Sequence, residues 1–298
     1  MLPNAPIHGF LIGWCIAALF GGGSAAWSLR RTGMSAAQIG IAFVTLAAAV
    51  FLGAKLLYVI EAWPALQAQR IAWRAALLWP RGSLVGGGAL ALAIGYPLAR
   101  GLGRPYWRSA DTVAPATGLL IFGFRIGCFL EGCCFGTPSS LPWAVRFPAN
   151  WPPTEAYGSQ LIQRLIPLGA PATVPVHPLQ LYFAAVGLLL FVGLTAYRPY
   201  VRYDGELVLL FALSSLWSSW FLEHLRADPH DLVQNLVLVA AIVSTAVAAV
   251  IEWRLRAKAN PLGIAASDSV DRGNELLECS EVLLPEGSDR RSAGLESR

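Results

Sequence analysis

Arg125 stands in Gly118-Leu-Leu-Ile-Phe-Gly-Phe-Arg-Ile-Gly-Cys-Phe-Leu-Glu131, a stretch that is otherwise apolar. Placing a guanidinium in hydrocarbon costs about 2.5 to 3.5 kcal/mol on insertion scales, so a partner is expected. Two kinds are open. One is structural, a pair with Glu131 or a helix end. The other is an anion site for a lipid phosphate, which suits the planar fork of arginine. Glu131, six residues on, lies most of two turns along and off the face of Arg125. The two therefore fit different partners, and Glu131 could orient a cation, accept a proton or simply be wet.

His177 opens His177-Pro-Leu-Gln-Leu-Tyr182, with proline in the first helical turn, where it is well tolerated. Its imidazole could serve as base or hydrogen-bond donor, or could cap the start of a helix beside an interfacial Tyr182. Glu223, His224, Arg226 and Asp228 form a polar cluster in which Glu223 and Arg226 are i, i+3 neighbours. A plain salt bridge accounts for that pair; so does an Arg226 that meets a headgroup while Glu223 holds it. Lys55 stands near enough to a span end to snorkel. Cys128, Cys133 and Cys134 invite a metal reading, but they form no CxxC pair and no histidine is interleaved. Small apolar packing is the favoured role for them, and no metal or other cofactor is expected. Five cysteines in all, an odd number, imply no disulfide framework. Gly21 to Gly23 and Gly86 to Gly88 lack the Lys-Ser/Thr of a phosphate loop and instead allow helices to approach closely.

The elements that must position these groups are membrane spans. The 298 residues are 55% hydrophobic and 13% charged, against about a quarter charged in soluble domains. Seven stretches come close to the roughly 20 apolar residues that cross a bilayer. They lie near 7 to 28, 37 to 60, 83 to 102, 113 to 133, 178 to 197, 204 to 222 and 232 to 252. Their continuity favours an all-α, polytopic helical bundle over a barrel, whose strands alternate. Met1 to Phe10 has no basic n-region, so the first span is expected to stay. Ten Lys and Arg follow spans one, three, five and seven, against six on the other side. That places the N-terminus outside and the C-terminus in the cytoplasm.

The membrane domain is expected over residues 1–256, and 257–298, rich in Ser, Gly, Glu and Arg, as a disordered cytoplasmic tail. Gly136 to Val176 is long and dense in Pro and Trp, which suggests an interfacial lid or binding segment on the outer side. Glu61 to Arg81, with Trp63, Trp73 and Trp79, reads as a second interfacial segment there.

In order and spacing these pieces resemble bacterial prolipoprotein diacylglyceryl transferase over most of residues 7 to 230. The likeness rests on His8-Gly9-Phe10, Gly53-Ala-Lys-Leu-Leu-Tyr58 and Gly82-Ser-Leu-Val-Gly-Gly-Gly88. It continues through Arg125-Ile-Gly-Cys-Phe-Leu-Glu-Gly-Cys-Cys-Phe-Gly136, Pro142-Trp-Ala-Val-Arg-Phe-Pro148, His177-Pro-Leu-Gln-Leu-Tyr182 and Glu223-His-Leu-Arg-Ala-Asp228. The resemblance implies a multi-pass enzyme of the bacterial plasma membrane that moves diacylglyceryl from phosphatidylglycerol to the lipobox cysteine thiol of a prolipoprotein. Membrane lipid and a signal peptide would be its partners, and nucleic acid would not. It implies catalytic roles for His177, Glu223 and Arg226, and substrate contacts for Arg125, Glu131, Gln180, Tyr182 and His8.

The chain also departs from the family pattern. Gly86 replaces a histidine, Cys128 and Cys133 replace asparagine and glutamate, and Ser219 replaces an arginine four residues before the last motif's glutamate. His8 replaces a tyrosine, and Phe183 an acid. The alternative is a homologue whose catalysis has diverged, which binds anionic phospholipid or modifies another acceptor.

Overall fold

A computed structural model describes residues 9–68, 73, 82, 84–149, 154–227 and 231–259. His8, Asp228, most of Glu61 to Arg81 past residue 68, and the tail from 260 onward lie outside them. Residues 1–245 form one compact unit, which holds the candidate site; of the second, 246–298, only 246–259 are described, and they are helical.

All regular structure among the described residues is helical, as the apolar runs predict. The long helices are α1 (Gly9–Arg31), α2 (Ala36–Gln67), α3 (Leu84–Gly101) and α4 (Tyr106–Glu131). After the short α5 (Glu155–Ile162) come α6 (Leu179–Tyr197), α7 (Glu206–Glu223) and α8 (Asp231–Ala259). Six of the described helices are long and apolar enough to cross a membrane, and the remaining expected span forms the 18-residue α3. Large apolar side chains such as Leu19, Val44, Phe51 and Leu189 are exposed on these helices. Outward-facing apolar surface of this kind fits hydrocarbon as solvent. The protein is a multi-pass membrane protein.

Three helices, α2, α4 and α8, run about two turns past their expected limits. Ser35 opens α2 with a reciprocal capping box to Gln38, and the helix runs 32 residues, about 48 Å. Glu61 to Gln67, expected at the interface, is its continuation. Helix α4 starts at Tyr106, two turns before the apolar run. There Asp111 accepts from the Gly205 N–H at 2.6 Å and the Val208 N–H at 3.0 Å, satisfying donors at the start of α7. Beside it the buried Glu206 accepts from the Tyr197 hydroxyl at 3.0 Å and from the Arg202 guanidinium at 2.6 Å.

Helix α4 is the centre of the bundle, packed chiefly on α6 and α1. At several glycines its contacts are backbone to backbone. A Cβ on Gly13 of α1 would lie 2.5 Å from Gly127 Cα, and one on Gly118 would run into the Gly187 carbonyl of α6. Small residues make such approaches possible where lipid supplies no hydrophobic drive between helices. Of the two glycine runs, Gly21 packs on Leu120, and Gly86 and Gly87 on Gly53 and Val50 of α2; Gly23 and Gly88 face open space.

The connection between α4 and α6 has a core of its own, Phe135, Phe147, Ala156 and Val176. Isolated β-bridges tie Pro138 and Val145 to Val176, and Pro148 to Ala172. Thr173, fully buried, exchanges bonds with Phe147, its Oγ1 accepting from the Phe147 N–H at 2.9 Å. Buried Gln160 accepts from the Val174 N–H at 2.8 Å. The long Pro- and Trp-rich segment is therefore a folded cap.

Candidate functional site

The site grows from the end of α4. Gly132 takes the left-handed conformation, φ 71°, and the Cys133 N–H returns to the Cys128 carbonyl at 3.1 Å, a Schellman closure. That turn folds Cys133 back over Cys128, and the Cys133 thiol meets the same carbonyl at 3.6 Å. Cys134 is left-handed as well, φ 55°, which costs a residue with a side chain about 1 to 2 kcal/mol. The three sulfurs lie within 4.8 Å of one another. Gln180 of α6, fully buried, pins the turn by donating Nε2 to the Cys133 carbonyl at 2.5 Å, while its Oε1 has no partner.

Arg125, two turns earlier on α4, is half-buried. Its guanidinium carbon lies 4.0 Å from the centroid of the Phe183 ring on α6, a cation–π contact, and its buried Nε has no partner among the described residues. Among the described residues no ion pair joins it to Glu131, so of the two partners open in the sequence the protein does not supply the carboxylate. Opposite stands Arg226, after α7. Its Nη1 is 3.3 Å from Glu223 Oε1, and its Nη2 donates to Cys134 Sγ at 3.6 Å; the Arg226 and Glu223 side chains are each 12% exposed. The Cys134 thiol is held well below its ordinary value by hydrogen bonds from the Cys128 and Cys133 thiols and by the charges of Arg226 and Arg125, against the effect of burial. Cys133 is pushed up, first by its hydrogen bonds to the other two thiols.

Backbone pairing locks these pieces together. Gly136 bridges Arg226, the Thr137 N–H donates to the Leu225 carbonyl at 2.8 Å, and the His177 N–H to the Thr137 carbonyl at 3.1 Å. Gly136 must be glycine for this, since a Cβ would lie 2.6 Å from His177 Cβ and 2.8 Å from the Leu225 carbonyl. The His177 ring is hydrogen-bonded through Nδ1 to the Tyr182 hydroxyl at 3.3 Å, and that hydroxyl accepts from Trp143 Nε1 at 2.8 Å. If Nδ1 carries the proton, Nε2 is free to act as a base.

Arg125, Gln180, His177, Tyr182, Glu223 and Arg226 thus gather at one end of the bundle, where α4 and α7 finish and α6 begins. Glu131 ends the same helix, half-buried, with no role in that network. Two contributors carry no chemical signature in the sequence: Phe183, covering Arg125, and Trp143, holding Tyr182; the cysteines were visible there, but not the turn that brings them together. Gly86 is explained by packing. A Cβ there would meet Leu57 Cβ at 2.6 Å, so the α2–α3 contact excludes the family's histidine. Ser219 lies one turn before Glu223 on α7 and is half-buried.

Residues 1–254 match the family model of prolipoprotein diacylglyceryl transferase. The chain belongs to that family. Its relatives include the phosphatidylglycerol-prolipoprotein diacylglyceryl transferases of Caulobacter vibrioides, 30% identical over 74% of each chain, and of Chromobacterium violaceum, 31% identical over 50% of this chain and 54% of that one. The Leifsonia xyli enzyme of the same name is 26% identical over 70% of this chain and 62% of its own. The chain spans about half to three fifths of the length of the latter two. In this diacylglyceryl transferase homologue the family match runs through every spanning helix, and the site described above lies wholly within it.

Proposed function

We propose that this protein transfers diacylglyceryl from phosphatidylglycerol to the lipobox cysteine of a prolipoprotein, at the outer face of the bacterial plasma membrane. The observation that carries the reading is the buried Arg125 Nε without a partner among the described residues, in a site completed by a second arginine, Arg226. An anion satisfies the open donor, and a lipid phosphate is the anion available at membrane depth.

His177 Nε2 takes the proton of the incoming thiol. The sulfur then bonds to the glyceryl carbon as the carbon–oxygen bond to phosphate breaks, and the electron pair leaves on glycerol phosphate. Arg125 and Arg226 stabilise the phosphate charge, and Glu223 keeps Arg226 in place. Tyr182 and Trp143 orient the base, Gln180 holds the turn beneath the site, and Glu131, at the end of α4, contacts substrate.

Purified protein in phosphatidylglycerol nanodiscs, given a lipobox peptide, should yield the thioether product seen by mass spectrometry. No product, where a standard family enzyme gives it, would sink the reading. A second reading, anionic-lipid binding without transfer, is supported by the packing that bars histidine at Gly86 and by Cys128, Cys133 and Ser219 at positions where the family is polar or charged. Phosphatidylglycerol binding without product would favour it.

A further inference from the structure

We propose that Cys128, Cys133 and Cys134 form a three-sulfur site for a soft metal ion, with Cu(I) the ion that fits. The sequence spacing favours small apolar packing for these residues, but the fold does more than pack them. Two successive departures from helical geometry, at Gly132 and Cys134, bring the three sulfurs within 4.8 Å of one another. Three sulfurs each about 2.3 Å from a central ion stand about 4 Å apart, so a small adjustment of side-chain torsions closes the site. Apolar packing would not require the left-handed backbone at Cys134, where a residue with a Cβ is disfavoured.

Ligand type and charge select the ion. Thiolates are soft donors that favour Cu(I) and zinc. A structural zinc site takes four ligands, and among the described residues this group offers only three, all sulfur. Cu(I) is content with three. Three thiolates and one Cu(I) carry a net charge of −2; Arg226, 3.6 Å from Cys134 Sγ and itself paired with Glu223, and Arg125, one turn before Cys128, place positive charge beside it. Cys128 and Cys133 are buried and Cys134 is the least buried of the three, so the ion enters at Cys134.

The site is tested without any transfer assay, and so apart from the function proposed above. The full chain carrying Cys15→Ser and Cys279→Ser, in phosphatidylcholine nanodiscs under anaerobic conditions, is titrated with Cu(I) against a chromogenic copper chelator. One Cu(I) per chain is expected, with X-ray absorption reporting three sulfur neighbours. Cys134→Ala, at the least buried of the three, should lower the affinity at least a hundredfold while the thermal midpoint of the metal-free protein stays unchanged. Copper uptake equal in wild-type and Cys128→Ser/Cys133→Ser/Cys134→Ser protein would overturn the proposal, as would no uptake at all, or uptake of zinc in preference to Cu(I).

Discussion

Lysine carries the charge of Arg125 but not its fork, and the open Nε is the feature that distinguishes this arginine from a snorkelling cation. Arg125→Ala and Arg125→Lys should both lower transfer by roughly 10- to 100-fold, the loss of a charged hydrogen bond worth about 1.5 to 3 kcal/mol. The readout is thioether formation against phosphatidylglycerol concentration; full activity in the lysine variant would show that a point charge suffices. Tyr182 acts through His177, so Tyr182→Phe should reduce kcat several-fold and leave KM for phosphatidylglycerol unchanged. A change confined to KM would assign Tyr182 to the lipid instead. At this scale the sequence was a good guide to charges and a poor one to neutral groups. Arg125 was legible because a charge in an apolar run demands a reason. Phe183 and Trp143 were not, because aromatic residues abound in membrane proteins. The cysteines were noticed and set aside as packing, because their convergence depends on two backbone conformations that spacing does not encode.

The helices were legible from their unbroken apolar runs, and their ends were not. Asp111 reads as loop until one sees that its carboxylate caps α7 across a gap of 94 residues, a contact no local pattern announces. Glu61 and Trp63 likewise suggested an interface, yet α2 continues through them. What the elements need most is close approach, and this is testable. Gly13→Leu should destabilise the bundle by about 3 kcal/mol or more, since its Cβ meets the Gly127 backbone, which cannot yield. Gly23→Leu, on the same helix but facing open space, is the control and should stay within about 0.5 kcal/mol of wild type. Both are read from thermal or denaturant unfolding in detergent; equal effects would mean that the glycines are not there for packing.

On the scale of the whole molecule, the distribution of Lys and Arg supports an orientation with the site outside and the last helix ending in the cytoplasm. A cysteine placed at Leu168, at the exposed edge of the cap, should then react with a membrane-impermeant reagent in intact cells, and a C-terminal green fluorescent protein fusion should fluoresce. Labelling only after lysis would reverse the orientation. The placement of Phe183 over Arg125 also bears on how the protein is made. The ring that covers the guanidinium lies about sixty residues further along the chain than the charge it covers. At roughly 5 to 20 residues per second of synthesis, several seconds pass between the two. During that interval α1, already made, can dock on α4 through Gly13 and Gly127, but the arginine has no aromatic cover from α6. Until α6 is made, the arginine stands in its apolar helix without that aromatic cover, and its insertion cost is met in some other way.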